Sequence, residues 1–116
     1  MTGASITGAI DRLLIDVQRH YGDRLAGLFR LDRRGILEDV DQTEAELVVI
    51  LKDGPWRALD EMRELARLAF EVLMETGIYI RVWPVTLTAW NDPSAGPHPD
   101  LVREFKRHAG PIREAA

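Results

Sequence analysis

Glu44 and Glu46 stand two residues apart at the polar entrance to the most apolar run of the chain, Leu47-Val48-Val49-Ile50-Leu51. Residues two apart on a strand share a face, so the spacing predicts two carboxylates projecting together. Such a pair offers hard oxygen ligands suited to Mg2+. In phosphoryl chemistry a metal so held clamps the attacking and leaving oxygens. The same pattern is also that of an ordinary solvated strand end, where carboxylates stay in water.

The remaining chemistry-bearing residues give weaker patterns. His20, His98 and His108 share no metal-ligand spacing and read as surface residues. Ser5 and Ser94 are the only serines, neither within a nucleophile-elbow motif, and there is no cysteine. Disulfides, thiolate metal sites and cysteine nucleophiles are thereby excluded. Arg103, Lys106 and Arg107 crowd one short segment near the C-terminus, with Arg113 beyond. That cluster reads as a solvated face near a helix end, or alternatively as a phosphate contact. Trp56, Trp83 and Trp90 are core or interface candidates, and Met62 and Met74 read as core filler.

The elements that must position these residues follow from periodicity. Ile6, Ile10, Leu13, Leu14 and Val17 recur at helical spacing, with Thr2 or Ser5 as cap and Gly22 as stop. Residues 24–31 read as a strand closed by a turn at Asp32-Arg33-Arg34-Gly35. Residues 44–51 are apolar on both alternating faces, the mark of a central strand covered on both sides. Pro55 is expected to open a long helix whose stripe is Leu59, Met62, Ala66, Ala69, Phe70 and Leu73, stopped by Gly77. A third strand is predicted over residues 78–85, with Pro84 placing its end at a sheet edge. A Pro- and Gly-rich loop spans residues 91–99, and a short helix follows over about residues 99–108. The predicted fold is α/β (α+β), in the order α-β-β-α-β-α, with a small mixed sheet of at least three strands.

Bulk properties bound the class. The chain has 116 residues, which fits a single domain over residues 1–116. Apolar residues make up 46% and charged residues 29%, a globular balance. The formal charge of −4 argues against general nucleic-acid binding. The sequence has neither an apolar span nor a leader pattern, so the expected location is cytoplasmic and not in a membrane.

Taken together, Tyr21-Gly22-Asp23-Arg24-Leu25-Ala26-Gly27-Leu28-Phe29, the turn ending Arg34-Gly35, and Thr43-Glu44-Ala45-Glu46-Leu47-Val48-Val49-Ile50-Leu51 resemble the minimal nucleotidyltransferase (MNT) family. These are small relatives of the DNA polymerase β-like nucleotidyltransferase fold. Leu73-Met74-Glu75-Thr76-Gly77-Ile78 and Leu101-Val102-Arg103-Glu104-Phe105 are also similar to that family, so the resemblance runs from Ile10 to about Ile112. It implies that Glu44-Ala45-Glu46 occupies the position of the catalytic, metal-binding Asp-x-Asp. It also implies that Arg30, Arg34, Gly35 and Arg81 border a nucleotide site.

Two departures stand out. The family's Gly-Ser after the first strand is replaced by Arg30-Leu31, and leucine offers neither the close backbone approach nor the hydroxyl that a triphosphate needs. On the third strand the position of a family carboxylate falls on the face of Tyr79, Arg81 and Trp83, where Arg81 would bring positive charge. Glu44 or Glu46 is therefore expected to pair with Arg81 or Arg30. The resemblance implies a degenerate nucleotidyltransferase that acts mainly by binding a partner, such as a HEPN-type ribonuclease toxin whose antitoxin it would be, or a second copy of itself. The alternative is an active Mg2+-dependent enzyme that transfers an NMP group from an NTP to protein or RNA, with Glu44 and Glu46 on the metal.

Overall fold

An apolar strand with no polar face must be covered on both sides, and β2 is placed accordingly. The computed structural model describes residues 5–31 and 44–114. In chain order its elements are α1 (Ile6–Tyr21), β1 (Leu25–Leu31), β2 (Glu44–Leu51), α2 (Ala58–Thr76), β3 (Tyr79–Thr86), α3 (Leu87–Asn91), α4 (Pro99–His108) and β4 (Ala109–Glu114). Single 3-10 turns lie at Gly22–Arg24 and Pro93–Ala95. The four strands form one mixed sheet in the order β3-β2-β1-β4. β1 is antiparallel to β2 and β4, and β2 is parallel to β3.

Strand alternation divides the core in two. Leu28, Leu47, Val49 and Leu51 pack with Leu13, Val17, Leu65 and Val72 beneath α1 and α2. Leu31, Val48 and Ile50 pack with Val85, Ala89, Val102 and Phe105 beneath α3 and α4. Residues 47–51 are all at most 1% exposed, as the two-faced apolar pattern requires. Among the described residues no helix is long and apolar enough to cross a membrane.

Local signals fix most boundaries. The Gly8 N–H donates to the Ser5 hydroxyl at 2.9 Å, an N-cap for α1. Gly22 (φ +53°) and Gly77 (φ +75°) end α1 and α2 in the positive-φ region that glycine reaches without strain. Pro84 does lie on an edge strand, as the sequence predicts, and Pro111 sits on the opposite edge. The turn expected at Asp32-Arg33-Arg34-Gly35 lies outside the described residues, as does Thr2.

Several expectations need correction. Pro55 does not open α2. The Trp56 N–H donates to the Gly54 carbonyl at 2.8 Å and the Trp56 indole to the Lys52 carbonyl at 3.0 Å, which holds a turn and delays the helix to Ala58. The buried stripe of α2 is Leu65, Leu68, Ala69 and Val72, with Glu61. Leu59, Met62, Phe70 and Met74 are instead exposed, so Met62 and Met74 are not core filler. Two apolar stripes run side by side on this helix, and contact with the sheet selects only one. α3 is capped by the Thr86 hydroxyl, which accepts the Ala89 N–H at 3.0 Å, and by Asp53, which accepts the Thr88 N–H at 3.1 Å. The Asp53 contact crosses 35 positions, and no local reading reveals it. β4 carries the weak strand sequence Ala-Gly-Pro-Ile-Arg-Glu and becomes a strand because β1 offers it a free edge.

The buried stripe can be distinguished from the exposed one by mutation. In urea unfolding, Leu65→Ala is expected to cost about 2–5 kcal/mol. Leu59→Ala, at a position 60% exposed, should cost less than about 0.5 kcal/mol.

Candidate functional site

The parallel ladder sets Glu44 opposite Tyr79 and Glu46 opposite Arg81. Glu44, Glu46 and Val48 therefore lie on one face together with Tyr79, Arg81 and Trp83. Glu46 is half-buried. Its Oε2 accepts a hydrogen bond from the Trp83 indole N–H at 2.9 Å. The donor comes from the residue two beyond the register partner of Glu46, a diagonal neighbour that only a long side chain reaches. Trp83 is positioned in turn by Phe105 of α4, their ring centroids 5.5 Å apart and their planes at 42°. Phe105 is buried in the second core. The carboxylate at the strand mouth is thus tied through an indole to the helix layer that covers this face.

Indole nitrogen is only a donor, and a carboxylate only an acceptor when ionised. Charge-assisted bonds of this kind are stronger than neutral ones and hold their geometry. One oxygen of Glu46 is therefore committed to the fold. Trp83 rather than Arg81 or Arg30 is the donor recorded for this carboxylate among the described residues. Arg81 stands beside Glu46 in the ladder but is exposed. Arg30 pairs in register with Leu47, so it belongs to the opposite face of the sheet from Glu46. On β1 the Glu46 face carries Phe29 and Leu31, both packed in the second core, where neither provides a polar atom to a ligand. Arg34 and Gly35 lie outside the described residues, and so does the side chain of Glu44. Among the described residues no group of three or more His, Asp or Glu side chains gathers around a common metal position.

The C-terminal cations are engaged locally. The Lys106 ammonium donates to the Trp90 carbonyl at 2.7 Å and lies 5.5 Å from the centroid of its ring. Arg103 pairs with Asp100 at 3.2 Å and Arg107 with Glu104 at 3.3 Å, both one helical turn apart. His108 contacts Glu104 at 3.2 Å and His20 lies 3.9 Å from Glu64.

A second polar cluster lies at the far end of the sheet. Glu61 is the buried charged residue of the described chain, and Arg24 reaches its Oε2 at 3.2 Å. The Arg24 guanidinium also sits 5.3 Å from the centroid of the Tyr21 ring. Glu61 lies in the first turn of α2, where a negative charge suits the helix dipole. The Tyr21 hydroxyl is buried and has no hydrogen-bond partner among the described residues. Burial, and next the nearby Glu61 carboxylate, push its pKa well above the usual value.

The strand-mouth pair and the face that meets it are legible in the sequence, but the role of Trp83 is not. Its position on the same face as Arg81 was visible in the alternation. What was not visible was that the indole would reach diagonally while the guanidinium turned to solvent.

Two outcomes follow. Glu46→Ala should lower stability by about 1–3 kcal/mol because it orphans the indole N–H, and Glu46→Gln, which keeps an acceptor, should lose less. Chemical unfolding followed by tryptophan fluorescence measures both. For Tyr21 the folded pKa lies above the unfolded value of about 10, so its contribution is complete below that pH and is lost as pH rises through the folded value. Stability of the parent chain should therefore fall more steeply above about pH 10 than that of Tyr21→Phe, measured by denaturation across alkaline pH. Compared with protein-family models, curated proteins and solved structures, the chain finds no match in any of the three.

Proposed function

We propose that this chain is a degenerate nucleotidyltransferase-fold protein that acts by binding a protein partner. The reading rests on the minimal nucleotidyltransferase resemblance of its sequence. The observation that carries it is the hydrogen bond from the Trp83 indole to Glu46 at 2.9 Å. A carboxylate required by two metal ions and a substrate would need its oxygens free to move with the ligands. Here one oxygen is held by a protein donor, itself packed on the core residue Phe105. Leu31 in place of a phosphate-binding serine supports the same reading, as does the cation Arg81 beside the acidic pair.

The expected partner class is a HEPN-type ribonuclease toxin, for which this chain would serve as antitoxin in the cytoplasm. The second reading, an active Mg2+-dependent enzyme transferring an NMP group to protein or RNA, is favoured by one feature only. Glu44 and Glu46 preserve the two-residue spacing on one face of β2. In that case they would hold the metal while Arg30, Arg34, Gly35 and Arg81 contacted the nucleotide.

Calorimetry with Mg2+ and ATP, and separately GTP, tests the choice. The binding reading expects no heat of association at about millimolar nucleotide, together with co-purification of a HEPN-type protein encoded beside this chain. NTP-dependent labelling of a protein or RNA that disappears in Glu44→Gln and Glu46→Gln would replace it with the enzyme reading.

A further inference from the structure

We draw no further inference here: the strongest candidate, the apolar cleft between the exposed stripe of α2 and the edge strand β3, carries no proposal because nothing in the structure shows what covers it.

Discussion

The structure depends on the burial of β2 from both sides. Leu47, Val48, Val49, Ile50 and Leu51 point alternately into two cores, and neither face can be left to water. At about 25 cal/mol per Å² of apolar surface, a run of five such side chains dominates the placement of its neighbours. β1 and β3 flank it in the sheet, α1 and α2 cover one face, and α3 and α4 cover the other. The N-terminal end of the same strand leaves this environment at Glu46 and Glu44, so the acidic pair sits where the apolar run meets the polar chain.

That position explains the state of Glu46. A half-buried carboxylate near a low-dielectric core needs a donor. The second helix layer provides one indirectly, by fixing Phe105 and through it Trp83. The same layer that completes the core on this face thus also fixes the geometry of the strand mouth. In the proposed reading, a face once open to nucleotide has been closed by packing, while the strand spacing of its carboxylates persists.

The cost of covering β2 falls on α2. A helix that carries apolar residues around more than half its circumference can bury only one side against a sheet. Leu65, Leu68, Ala69 and Val72 take the sheet, while Met62, Phe70 and Met74 remain in water at the edge of β3. The sequence predicted the helix but selected the stripe on the wrong side. Both stripes satisfy helical spacing, and only the direction from which β2 and β3 approach distinguishes them.

Within the sequence itself, periodicity and punctuation determined α1, β1, β2, α2, β3 and α4, because each carries its own signal: a capping serine, a terminal glycine, an alternating or continuous apolar run. The mixed α/β class and the edge position of Pro84 followed from the same local physics. The acidic pair was legible because a two-residue spacing at a strand end has one geometric meaning. Only the tertiary structure decided the rest. α3 has a local cap in Thr86, and the fold adds a second in Asp53 from 35 residues away. β4 exists because β1 had an unpaired edge that could satisfy its backbone. Arg30 and Glu46 fall on opposite faces because the hairpin register pairs Arg30 with Leu47. Trp83 donates to Glu46 because two strands and a helix converge there, and no spacing within one chain segment encodes a convergence of three.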